Sequence, residues 1–349
     1  MMPYQRGITL VELLIALTLG LLITAAATRV LISSSQGSAA QIAGSSLVSD
    51  ESFSITPLED SLLMAGYGAQ AAPSTPIQSG YVATDITPFG PIVLSSVAGL
   101  ATDLAEVNLL VNSSAISDTA NTASLSNLAS NSDQLVTQRM VPAGTTDLIN
   151  CEGERVPLPA GYDPIVPLDT TAGDANQPRF LVERYFVRED AIARPGEPSP
   201  NGLACAAGTY FYDATAGNFV FSAASNKADL ESASGALLMS RVDHFKVLLG
   251  VNSSTDAATS TATNSTRYMS IDEYIGLTED AALGPAGKPR IVAVKVGVVT
   301  RSSGAGSTTD TPTNFTVLGE DFSLDEADRY VRQVIEKTFL LRNARGWNS

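Results

Sequence analysis

The sequence predicts an α+β chain: a long amino-terminal helix packed against an antiparallel β-rich domain with long loops. Three observations predict it. A charge-poor apolar segment near the start is long enough to cross a bilayer. Apolar residues at helical spacing continue beyond it to residue 66. From about residue 70 the pattern turns to strand-like alternation broken by Ser/Thr/Gly/Pro-rich stretches.

The segment Ile8–Thr28 carries a single charge, Glu12. At 1.5 Å per residue it spans roughly 30 Å, the thickness of a bilayer core. Arg6 precedes it, which favours a cytoplasmic amino terminus and an exported remainder. A secretory signal peptide is the plain alternative, with Ala25-Ala26-Ala27 as a small-residue cleavage site. Two features oppose it. The apolar run exceeds the usual length of such a signal, and Glu12 sits inside it. A carboxylate within a membrane span costs a few kcal/mol and marks a functional candidate.

Residues 29–66 continue the helix as an amphipathic half. Leu47, Ile55, Leu58, Leu62 and Ala65 recur at helical spacing and form a core-facing stripe. Gly37 and Gly44 weaken the helix, Pro57 is expected to kink it, and Gly66-Tyr67-Gly68 ends it.

Strand signals follow at Gln134–Val141, Arg179–Arg188 and Thr209–Ser222, the last a hairpin turning at Asp213–Asn218. Val242–Val251 places Phe245, Val247, Leu249 and Val251 on one face. Arg290–Arg301 does the same with Val292, Val294, Val296 and Val298. Tyr330–Arg342 reads as a last strand, with Val331, Ile335, Phe339 and Leu341 on one face; a short helix is the alternative. Ala193–Gly202, Ser253–Thr266 and Ser302–Pro312 read as surface loops within one domain spanning 67–349.

Composition narrows the chemistry. A formal net charge of -15 argues against a nucleic-acid binder, which needs a basic face. One His and two Cys cannot furnish the usual four-ligand zinc site, and no metal or other cofactor is expected. His244 lies opposite Phe245 on its strand and reads as a surface or edge residue rather than a catalytic base. Gly304-Ala305-Gly306 is no phosphate loop, since no Lys follows and no helix opens. No enzyme activity is expected. In an oxidising exported compartment Cys151 and Cys205 would bridge, closing a loop of about 55 residues worth on the order of 4 kcal/mol. Two separate buried thiols are the alternative.

The run Gly7-Ile8-Thr9-Leu10-Val11-Glu12 behind a short basic leader resembles the type IV prepilin signal. The resemblance implies that residues 1–7 are a leader removed between Gly7 and Ile8 by a prepilin peptidase, with N-methylation of Ile8. Residues 8–28 are then kept as a transmembrane and assembly helix, in which Glu12 pairs with the amino terminus of a neighbouring subunit. Such pairing makes a buried carboxylate tolerable. Three further stretches resemble the PilW family of minor pilins: Phe53 to Tyr67 as a helix end, Val242–Val251 with Ile291–Arg301 as central strands, and Arg329 to Asn343 as the tail. Cys151 and Cys205 sit where that family tends to place a cysteine pair. The resemblance implies a type IV pilin-like fold and a minor pilin that primes assembly of a pilus serving adhesion, twitching motility or DNA uptake. The implied partners are other minor pilins, the major pilin, the inner-membrane assembly platform and a tip adhesin. The implied location is the inner membrane, domain in the periplasm, and then the pilus. A type II secretion pseudopilin is the first alternative. A membrane-anchored periplasmic binding protein is the second.

Overall fold

A computed structural model describes residues 9–67, 91–94, 132–162, 177–190, 201–213, 218–221, 230, 235–252, 266–277, 289, 291–307, 309–324 and 327–343. Helix α1, Leu10–Ser54, runs for 45 residues, or about 67 Å. The Thr9 side chain caps it by accepting from the N–H of Glu12 at 3.3 Å. Gly37 and Gly44 lie inside the helix without interrupting it. In its apolar part the hydroxyls of Thr18, Thr24 and Thr28 donate to the carbonyls of Ile15, Gly20 and Thr24. Each of these hydroxyls is thereby satisfied within the helix, as a hydrocarbon environment requires.

The expected kink at Pro57 is a break placed two residues earlier. Ile55 separates α1 from α2, Thr56–Met64, with Pro57 in the first turn of the new helix. The reason is geometric. Within a continuous helix Pro57 could not donate to the carbonyl of Phe53, whereas in a first turn the missing N–H has no partner to lose. Gly66 ends α2 at φ +74°, where a Cβ would meet Pro91 at 3.2 Å. The tail closes the same end: the Asn343 amide donates to the carbonyls of Leu63 and Ala65 at 3.5 and 3.2 Å. These are carbonyls that a helix terminus leaves unpaired.

Two antiparallel sheets follow. The first orders β1 (Leu135–Met140), β2 (Arg179–Glu189), β3 (Asn201–Asp213) and β4 (Asn218–Phe221), with β5 (Ala236–Ser240) also on β3. Strand β2 pairs β3 along 201–211, so β4 and β5 share the other edge of β3. The second sheet orders β11 (Tyr330–Leu340), β8 (Ile291–Ala305), β6 (Val242–Asn252) and β7 (Thr266–Ser270). Helix α3, Ile271–Ile275, follows β7 directly. A ribbon of β9 (Asn314–Val317) and β10 (Glu320–Ser323) completes the described elements.

One core joins the sheets to α2. It contains Ile55, Leu58 and Leu62 with Leu181, Tyr185 and Leu203 of the first sheet and Phe245, Val247, Val296, Val298, Ile335 and Phe339 of the second. The sheets are also tied by main chain. Ser132 and Asp133, just ahead of β1, lie on β6: Phe245 N–H donates to Ser132 Oγ, Asp133 N–H to Phe245 O, and Val247 N–H to Asp133 Oδ2.

Several boundaries differ from expectation. Val294, Val296 and Val298 enter the core, but a bulge puts Gly250 opposite Ala293 and Val251 opposite Ile291. The frame shifts there, so Ile291 takes the core position expected of Val292. Ser302 to Ala305 belong to β8 rather than to a loop, because Tyr330 pairs with Ala305 and extends the ladder. Asn201 and Gly202 open β3, and Thr266 opens β7. Residues 193–200 and 253–265 lie outside the described residues.

Candidate functional site

The candidate site is the amino-terminal half of α1 together with the machinery that fixes the rest of the helix to the domain. Gly7 and Ile8 lie outside the described residues. Glu12 is exposed and sits in the first turn of α1, three residues after the Thr9 cap. The order Thr-x-x-Glu is that of a capping box, and a carboxylate is favoured at the positive end of a helix. The position alone thus favours a carboxylate at Glu12, apart from any role between subunits.

Above it the helix is a free arm. Leu10, Leu17, Leu21, Leu22 and Ile23 are exposed, and apolar side chains occur on every face. Among the described residues this is the one helix long and apolar enough to cross a bilayer. From Leu10 to Ile42 the arm measures about 50 Å. The first buried side chains of α1 are Ala43 and Leu47. There α1 meets β8. A Cβ on Gly306 would lie 2.7 Å from that of Ala43, so glycine permits the close approach. Ser303 N–H donates to Ser46 Oγ at 3.4 Å.

Helix α2 is the anchor. Leu58, Leu62 and Ala65 are fully buried, as the stripe predicts. Polar contacts fix the helix as well. Ser61 and Thr137 share a hydroxyl hydrogen bond of 2.6 Å, and Tyr185 OH donates to Pro57 O at 3.3 Å. Beneath them Glu183 is buried, accepting from Cys151 N–H at 2.8 Å with Arg139 at 4.0 Å. Burial pushes the Glu183 carboxyl up despite Arg139 and the hydrogen bonds.

Cys151 and Cys205 form a disulfide with Cα atoms 6.1 Å apart. It ties the tight turn around Gly153, itself at φ +82°, to β3. Beside it Glu152 accepts from the N–H of Ala207 at 3.2 Å. Ala207 falls in the gap that β4 and β5 leave on the β3 edge, so the carboxylate fills a ladder position there.

His244 is not the surface residue its strand position suggests. It is 6% exposed, and its ring stacks on Phe322 of β10 with centroids 4.3 Å apart. Burial, reinforced by the Lys246 ammonium and opposed by Glu320, pushes its pKa down to about 4. Lys246 reaches Glu320 at 2.8 Å and Asp133 at 3.6 Å. Burial depresses its pKa, but the two carboxylates outweigh that and raise it. Nearby, Arg332 binds Asp243 at 2.7 Å and Asp328 at 2.6 Å, with Arg301 3.8 Å from Asp243. Burial holds the Asp243 carboxyl up against both arginines. In half-buried Asp328 burial is outweighed by the Arg332 hydrogen bonds, and the carboxyl falls below its ordinary value. Sequence reasoning missed both clusters; alternating strand residues gave no sign that a ribbon covers the second face.

Two family models match the chain. Residues 2–28 match the prokaryotic N-terminal methylation motif. Residues 210–343 match type IV pilus-assembly protein W. The chain carries a prepilin-type start and a PilW region. That region takes in β6, β8 and the tail, the second and third stretches recognised in sequence, and leaves the helix end at 53–67 and both cysteines outside it. The methylation motif and the apolar arm fit an inner-membrane anchor and a pilus subunit. No curated protein matches the chain. A solved type IV-like pilin from Thermus thermophilus aligns over 85% of this chain and 96% of its own, at 10% identity and a TM-score of 0.35. So loose a superposition carries no argument; the α+β architecture rests on the helices and sheets themselves.

Proposed function

We propose that this PilW-type chain is a minor pilin that is trimmed between Gly7 and Ile8, methylated on Ile8, and joins other minor pilins in the complex that primes and tips a type IV pilus. The supporting observation is the arm: about 50 Å of helix free of its own domain, its first ~35 Å (residues 10–32) apolar on every face and led by one carboxylate. Such a surface has two suitable solvents, lipid before assembly and neighbouring helices after it. In either, Glu12 needs a cation, and the new amine of a neighbour's Ile8 supplies one. The domain would face the periplasm, with the major pilin, the assembly platform and a tip adhesin as further partners. The reading assigns the chain no catalytic step.

The test is the mature amino terminus, read by mass spectrometry in cells with and without prepilin peptidase. Methylated Ile8 that depends on the peptidase is expected. An intact Met1, or a cut after Ala27, overturns the reading. A Glu12→Gln variant separates the two uses of this residue. Glutamine completes a capping box as glutamate does, so the helix should be unchanged while incorporation into pili falls. Normal incorporation would leave Glu12 as a cap alone.

A further inference from the structure

The β9–β10 ribbon lies over the outer face of the second sheet and is fastened at few points. Its turn holds Leu318 at φ +53° and Gly319 at φ +88°, between paired Val317 and Glu320. This is the backbone of a primed hairpin turn, which favours Asn-Gly and strains a bulky side chain. Leucine is there for its contact. A Cβ on Gly297 of β8 would lie 2.9 Å from Leu318 Cγ and 2.5 Å from Val317 Cγ1, so the ribbon sits in a hollow that glycine leaves. The Leu318 N–H donates to the Glu336 carboxylate of β11 at 2.7 Å. At the other end Glu320 pairs with Lys246 and Phe322 stacks on His244. The His244 Nδ1 has no hydrogen-bond partner beneath the ribbon.

We propose that this ribbon is a strap that acid releases, with His244 as the group whose protonation unseats it. The charged groups on the elements around His244 are Lys246 and Asp243 on β6, Lys295 and Arg301 on β8, Glu320 and Asp321 on β10, Arg332, Glu336 and Lys337 on β11, and Asp133 ahead of β1. Asp243 is engaged by Arg301 and Arg332, Glu336 by Leu318, Asp321 by Thr316, Asp133 by Val247 and Lys246, and Lys295 by the Tyr268 ring. That leaves Lys246 opposing an imidazolium and Glu320 favouring it, with burial the largest effect. Closed, the site keeps His244 neutral down to a pKa of about 4. Open, the imidazole returns to its ordinary value near 6.5. By linkage, opening should then rise roughly twentyfold between pH 7 and pH 5. Opening uncovers Gly297, Val299 and Lys246 and relieves Leu318. The strap concerns the domain alone and stands whether or not the chain enters a pilus.

His244 is the single histidine, so one imidazole resonance reports it directly. The experiment is amide hydrogen exchange on the full chain in detergent, at pH 7 and pH 5, corrected for intrinsic rates. Peptides covering 314–323 should lose protection at pH 5 while those covering β2 and β3 keep it. In His244→Phe, which keeps a stacked ring without a proton site, that acid response should vanish. Should His244→Phe fail to fold, Phe322→Ala serves instead, and should open the ribbon already at pH 7. Equal ribbon protection at both pH values, loss shared by β2 and β3, an acid response unchanged in His244→Phe, or a Phe322→Ala ribbon as protected at pH 7 as the wild type would each overturn the proposal.

Discussion

The two halves of the amino-terminal helical region are built from the same residue types and end in opposite environments. Between Leu10 and Ile32 the leucines, isoleucines and valines surround the helix and stay exposed. Between Leu47 and Ala65 the buried ones, Leu47, Ile55, Leu58 and Leu62, lie along one stripe. Angular distribution makes the difference. A stripe can be matched by one surface of the same chain, whereas an all-round apolar cylinder can be satisfied only by a surrounding medium. The domain thus commits one half and leaves the other for lipid or other helices.

The comparison can be broken by substitution and reduction. The largest effect belongs to the domain. Replacing both Cys151 and Cys205 by Ser should lower its stability by about 4 kcal/mol, read from urea unfolding of the full chain in detergent. A loss below about 1 kcal/mol would mean that the core alone holds the turn around Gly153 to β3. Next comes a pair of matched truncations. Leu62→Ala, in the stripe, should cost about 3 kcal/mol. Leu21→Ala, in the arm, should change the same unfolding free energy by less than about 0.5 kcal/mol and show instead in incorporation into pili. Equal costs at the two sites would erase the distinction between the halves. The smallest effect sharpens where the anchor ends. Asn343→Ala should cost about 1 kcal/mol by freeing the carbonyls of Leu63 and Ala65. No change in the unfolding midpoint would mean that water serves those carbonyls as well.

Much of the architecture was legible. The stripe Leu47, Ile55, Leu58, Leu62 and Ala65 is buried residue for residue. The alternation of Phe245, Val247, Leu249 and Val251 gives the core face of β6. The Tyr330 segment is a strand, and its alternative as a short helix is excluded by its ladder to β8. The misses share a cause. Gly202, Ala204, Ala206 and Ala207 have weak strand propensity, yet lie in β3 because β2 pairs with them along its length. Ser302 has loop character, yet is buried in β8 under Val331.

By itself the sequence determined what depends on near neighbours along the chain: the length of the apolar arm, the place of Glu12 in its first turn, the helical stripe and the valine alternation. Each is a periodicity of one segment, and local geometry converts it directly into a face. Tertiary structure decided what depends on which distant segment arrives. It placed Ile291 rather than Val292 in the core. It also buried Asp243 between two arginines and set His244 beneath Phe322. Those outcomes turn on desolvation and on the partner that meets it, and neither exists until the ribbon and the tail are folded against the sheet.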